Sequence, residues 1–209
     1  VITPVERQMR ADAARNAERI VRTARAAFAE DGPDVSLDEI ARRAAVGIRT
    51  LYRHFPHKGD LVRAALDQSI AEDLAPAIER ALADEDPLRG FRALMEASMA
   101  LASREQNTLA AAKNAGSLTA DVSTAFYEAL TLLAERAQRA GLLRADIVPA
   151  DLHRIMAMLA SVLWNMAPDS DGWRRYLALL LDGLSPHGAS VLPPAVPLLK
   201  SVRPGNWVL

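Results

Sequence analysis

Between Glu39 and Asp60 the chain carries Arg42, Arg43, Arg49, Arg53 and Lys58, with His54 and His57 beside them, and no acidic side chain. A local charge of +5 interleaved with Thr50 and Tyr52 suits a polyanion. Cations meet phosphate, while hydroxyls and planar guanidinium groups can meet base edges. Residues suited to catalysis are sparse. With no cysteine there is no thiol nucleophile, thiolate metal site or disulfide. The histidines are His54, His57, His153 and His187, and none falls in a Glu-x-x-His or His-x-x-x-His pair. His54 and His57 straddle Pro56, which argues against a shared helical face for a metal. No glycine-rich phosphate loop occurs. The reading is a chain without catalytic residues, metal or cofactor.

Two short helices must position the cations. Ser36 followed by Glu39 reads as a capping box opening a helix at Leu37. Leu37, Ile40, Ala41 and Ala44 then make one buried face. Val46 and Gly47 interrupt it where the chain must turn sharply. A second helix places Ile48, Leu51 and Phe55 inward and Arg49, Thr50, Tyr52, Arg53 and His54 elsewhere, and Pro56 closes it. Together they predict a helix-turn-helix. An earlier helix over about 13–31, with Ile20, Val21, Ala24, Ala27 and Phe28 on one stripe and a stop at Gly32 and Pro33, should complete a three-helix core. In that core Phe55→Ala is expected to cost about 3 to 5 kcal/mol. Residues 1–12 read as an arm before the first helix, with Arg7, Arg10 and Arg15 either reaching a neighbouring groove or solvated.

The stretch VGIRTLYRHFPHKGDL, preceded by DVSLDEIARRAAV and by a helix ending ARAAFAEDG, resembles the DNA-binding domain of the tetracycline-repressor (TetR) family of bacterial transcription regulators. The resemblance spans about residues 15–66 through Phe28, Gly32, Leu37, Ile40, Ala41, Ala44, Val46, Thr50, Leu51, Tyr52, Phe55 and Lys58. Two positions depart from it. Ala45 stands where glycine is common, and Gly47 where a serine often caps the second helix. The resemblance implies a homodimer on double-stranded operator DNA, released by a small-molecule effector. Arg49 and Thr50 are the expected base-reading residues, with Arg53 beside them. Tyr52, His54 and Lys58 are expected on phosphate, and Gly47 at the helix start.

Beyond residue 57 the periodicity is helical throughout, so the expected fold is all-α: an N-terminal three-helix domain over 1–57, a helical ligand-binding and dimerisation domain over 58–185, and a proline-rich tail over 186–209. Net charge is +2 over 1–60 and −3 over the remainder, so affinity for nucleic acid should be local. A helix from about 58 continues to Pro76, where a kink is expected before Ile78 and Leu82. Further helices follow from Pro87, over 118–140, from Pro149 and over Trp173–Leu184, with Pro168 and Gly172 separating the last two. The apolar stripes of 152–166 and 173–184 suit a homodimer interface, with internal core as the alternative. Met95, Met99, Phe126, Tyr127, Met158 and Trp164 are candidates to line an apolar ligand pocket, ordinary core again being the alternative. Ser98, Asn107, Lys113, Asn114, Tyr127 and Asn165 are its possible polar handles. The tail holds five of twelve prolines together with Val191, Leu192, Leu198, Leu199 and Trp207. It reads as flexible by composition or docked through those side chains. No run of eighteen apolar residues exists, and a soluble, cytoplasmic protein with no membrane contact is expected.

Overall fold

The apolar periodicities become ten α-helices among the described residues, which in this computed structural model are 3–117, 124–167 and 170–198. In order they are α1 (Pro4–Asp31), α2 (Leu37–Arg43), α3 (Ile48–His54), α4 (Lys58–Ser69), α5 (Ala75–Ala83), α6 (Pro87–Arg104), α7 (Gln106–Asn114), α8 (Thr124–Arg139), α9 (Pro149–Leu163) and α10 (Trp173–Gly183). No strand occurs among the described residues, as the all-α reading expects. Residues 4–12 of the expected arm are helical: α1 begins at Pro4, where a proline suits a first helical position.

The chain divides into two compact units, and the division differs from the boundary expected at 57/58. Residues 1–68 form the first unit together with 107–118, and 69–106 form the second together with 119–209. Packing accounts for the difference. Leu61, Val62, Ala65 and Leu66 of α4 and Ala111 and Ala112 of α7 join Ile20, Phe28, Ile40 and Leu51 in one apolar core. A three-helix module of this size buries too little alone, and α4 and α7 enlarge it. Phe55 is only half-buried at its edge. Its truncation should therefore cost less than the 3 to 5 kcal/mol of a fully buried phenylalanine, and Leu51, with no exposed surface, is the true anchor of α3.

In the second unit Phe91, Leu94, Met95 and Met99 of α6 meet Leu130 and Leu133 of α8, Leu159 of α9 and Trp173 and Leu177 of α10. Asp86 caps α6 by accepting from Leu88 N (2.9 Å) and Arg89 N (3.1 Å), with Pro87 in the first turn as expected. The kink expected at Pro76 takes the form of a π-helical turn over Ile70–Leu74, in which Ala75 N–H bonds to Ile70 O. Proline lacks a donor and its ring clashes with the carbonyl four residues back. One extra residue in the preceding turn relieves both. Residues Leu118, Val122, Pro168, Leu199 and Trp207 lie outside the described residues.

Candidate nucleic-acid interface

Helix α2 starts as expected at Ser36, whose Oγ accepts from Glu39 N at 3.2 Å. Only half of the expected capping box forms. The Glu39 carboxylate turns instead to Arg42 (2.8 and 2.6 Å) and Arg43 (2.6 Å), because a guanidinium three or four residues on offers stronger, charge-assisted donors than a backbone amide. These bonds lower the Glu39 pKa to about 2. Arg43 also reaches Glu30 (3.0 Å) and Asp31 (2.5 Å) on α1. Two of the five cations are thus neutralised from outside the acid-free segment, and the share that Glu30 and Asp31 take of Arg43 is hidden from sequence spacing because they lie twelve or more residues away.

The turn between α2 and α3 is a Schellman motif. Val46 N–H bonds to Ala41 O (3.0 Å) and Ala45 N–H to Arg42 O (3.2 Å), and between them Ala45 takes φ +50. The left-handed residue is therefore Ala45. Gly47, where the sequence suggested the sharp turn, is extended (φ −67, ψ 144) and serves as the N-cap of α3, with no side-chain cap bond.

Helix α3 presents two faces. Leu51 is buried, and Ile48 and Phe55 pack beside it on the core. Arg49, Tyr52 and Arg53 are exposed and Thr50 is half-exposed, so these four lie on the outward arc. Neither Arg49 nor Arg53 has an ion pair among the described residues. Two other expected phosphate ligands stand differently. Lys58 Nζ donates to Pro33 O (3.0 Å) and lies 5.7 Å from the Phe28 ring centroid, tying the start of α4 to the end of α1. The His54 Nε2 atom is turned inward, buried and without a hydrogen-bond partner, its ring 6.3 Å from that of Phe55. The cationic surface is thus narrower than the segment charge implied. It reduces to Arg49 and Arg53 flanked by Thr50 and Tyr52, on a helix begun by the exposed Gly47.

Residues 20–65 match the family described as bacterial regulatory proteins, tetR family, and residues 49–186 match the C-terminal domain described as transcriptional regulator SbtR-like. The chain belongs to the TetR family. It is thus a transcriptional regulator with a helix-turn-helix DNA-binding domain. An HTH-type transcriptional regulator of Staphylococcus aureus is 44% identical over 54 residues, 25% of this chain and 29% of that protein's length. A TetR transcription regulatory protein of Mycobacterium vanbaalenii is 32% identical, with 85% of this chain and 99% of that one covered and a TM-score of 0.57. The fold is also that of AibR, solved in complex with isovaleryl coenzyme A and operator DNA, at 19% identity over 82% of this chain and 98% of that one, TM-score 0.58.

Of the six residues expected to line a ligand pocket, Met95, Met99, Phe126 and Tyr127 come together and Met158 does not. Met95, Met99 and Phe126 are buried in the apolar core of the second unit. Tyr127 is half-buried, its ring stacked 3.7 Å from that of His153, and burial raises its pKa. Trp164, half-buried, ends α9. Met158 is 53% exposed on the outer side of α9, so it lines nothing in the interior; an apolar residue on a helix that is apolar nearly all round cannot be assigned a face from spacing. Of the polar handles, Asn107, Lys113 and Asn114 belong to the first unit, where Asn107 Nδ2 donates to Ala29 O (3.3 Å). A cavity of about 270 Å³ lies instead under the tail, lined by Asp146, Asp151, Arg154 and residues 192–196. Sequence reading missed the two arginines that hold that tail. Arg144 donates to Ser190 O (2.6 Å), and Arg154 to Val196 O (2.8 Å) and Pro197 O (3.1 Å).

Proposed function

We propose that this regulator is a repressor that binds palindromic operator DNA as a homodimer and releases it on binding a small apolar effector. The observation that carries the DNA half is the outward arc of α3. Arg49 and Thr50, near the helix start, reach base edges in the major groove, with Arg53 one turn on. Tyr52 holds phosphate. Lys58 and His54 act chiefly through position, fixing α4 and the end of α3, and Gly47 leaves the helix start open to close approach.

The dimer reading rests on α9 and α10, where Met158, Tyr176 and Leu179 are 53%, 42% and 57% exposed while Leu159, Leu163 and Leu177 close the core behind them. A stable pair needs about 1,600 Å² of buried surface, and two α3 helices about 34 Å apart meet successive major grooves. Effector binding in the second unit would act through the helical run 58–83, which passes in sequence from one unit into the other across the π turn. A coupling of about 2.7 kcal/mol weakens DNA binding a hundredfold.

AibR, solved in complex with isovaleryl coenzyme A and operator DNA, shows that this fold can hold an acyl-bearing molecule and DNA together, which supports a ligand-responsive reading. The full burial of Met95, Met99 and Phe126 favours a second reading, a DNA binder regulated by protein partners or not at all. Selection of bound duplex from a random pool, followed by release of the winner with acyl thioesters and apolar carboxylic acids, tests both halves. Release with a reciprocal loss of effector affinity on DNA supports the first reading; a selected duplex that no compound releases supports the second.

A further inference from the structure

From Arg7 to Arg15 every residue of α1 but Ala11 is exposed, Met9 at 66%, and among the described residues the first fully buried side chain is Ile20. Packing of an apolar face supplies most helical stability in proteins, and the described residues from Arg7 to Arg15 bury no such face, so a partner for them is to be sought outside the chain. Its chemistry indicates which kind. From Arg7 to Arg22 five arginines stand against Asp12 and Glu18. At about 100° per residue, Arg15, Arg19 and Arg22 fall within about 60° of one another, on the side opposite Ile20, Ala24 and Ala27. Arg7 and Arg10 lie farther out, past the core, where every direction is open. Arg15 is paired with Asp12. Arg19 bonds only the neutral Asn16 Oδ1 (2.9 Å), and Arg7, Arg10 and Arg22 have no ion pair among the described residues.

The direction of the extension is set at its other end. Asn107 holds Ala29 O, so the last turn of α1 sits against α7, and the N-terminal turns project from the opposite end of the helix. Sixteen residues from Pro4 to Arg19 reach about 24 Å at about 1.5 Å each. Duplex DNA carries one charge per about 1.7 Å of axis.

We propose that the N-terminal turns of α1 form a second DNA-contacting surface, an arginine-bearing rod that lies along the phosphate backbone outside the bases read by α3. It rests on the DNA-binding reading above and adds to it a contact independent of sequence, which lengthens the site and raises affinity without altering base preference.

The test uses the full chain on the duplex selected from the random pool. Arg7→Gln/Arg10→Gln/Arg19→Gln removes three charges while keeping helix propensity. Because a dimer loses six charges, the slope of log affinity against log salt should become shallower by up to about 5.4, so that the loss of binding between about 50 and 200 mM salt shrinks by up to about 2,000-fold. Base preference should be unchanged, and hydroxyl-radical protection should shorten at the outer flanks. Asp12→Asn frees Arg15 and should tighten binding on every duplex, a gain that misfolding cannot imitate. An unchanged slope and footprint in the triple variant, with wild-type protein binding DNA and selecting bases, overturns the rod alone. A wild-type protein that binds no duplex overturns the DNA-binding reading and the rod with it.

Discussion

Ala45→Gly should stabilise the protein, against the usual rule that glycine weakens a chain. Ala45 sits at φ +50 between the two hydrogen bonds that close α2, and the left-handed region costs a residue with a Cβ about 1 to 2 kcal/mol. Glycine removes that strain but adds freedom to the unfolded chain worth about 0.4 to 1 kcal/mol. The balance is a gain of about 0.5 to 1 kcal/mol. For a chain of this length that corresponds to a rise of about 1 to 4 °C in the melting transition. The assay is denaturant unfolding of wild type and variant, the gain appearing as a higher midpoint at unchanged slope. Gly47→Ala is the control. At φ −67, with nothing within 4 Å of an added Cβ, that glycine has no conformational reason to be one, and alanine should cost only the roughly 1 kcal/mol by which it caps a helix less well. A lower midpoint for Ala45→Gly, or a large loss for Gly47→Ala, would refute the placement of the turn.

Gly90→Ala should go the other way: its Cβ would stand 2.5 Å from Ala81 O and 3.1 Å from Leu133 Cδ2, and overpacking of about 1 to 3 kcal/mol outweighs the roughly 1 kcal/mol helical gain, read by the same unfolding assay. Glu39, its pKa lowered to about 2 by Arg42 and Arg43, binds its proton less readily folded than unfolded. Its contribution is complete above the ordinary carboxyl value of 4.5 and is lost as pH falls from there through about 2. Wild type should therefore lose more stability than Glu39→Gln over that window, and parallel curves would remove the assignment. Leu179→Glu, on the exposed side of α10, should halve the mass measured by light scattering if that face pairs two chains, with the monomer retaining its helical circular dichroism.

Much of this was legible in the sequence. The helix-turn-helix, its cap at Ser36 and the inward Leu51 follow from spacing and local chemistry, since each is decided within one or two helical turns. What escaped were features set across the fold. The carboxylates of Glu30 and Asp31 come to Arg43 only when α1 packs on α2, and Lys58 finds Pro33 O in the same way. The left-handed residue fell on Ala45 because hydrogen bonding to Ala41 and Arg42, not residue type, fixes where α2 stops. The recruitment of 107–118 into the first unit is a long-range packing choice among alanine-rich helices, which carry weak facial signals. The outward position of Met158 escaped because α9 is apolar nearly all round and its spacing assigns no face.

The most direct measurement is the base preference of wild type and Arg49→Ala, each determined on the same random duplex pool together with affinity for a scrambled duplex. The outward arc of α3 predicts a loss of about 1 to 3 kcal/mol per half-site on the selected sequence, relaxed preference at the base pair Arg49 reads, and little change on the scrambled one. Equal losses on both duplexes with preference intact would show that this helix does not read DNA.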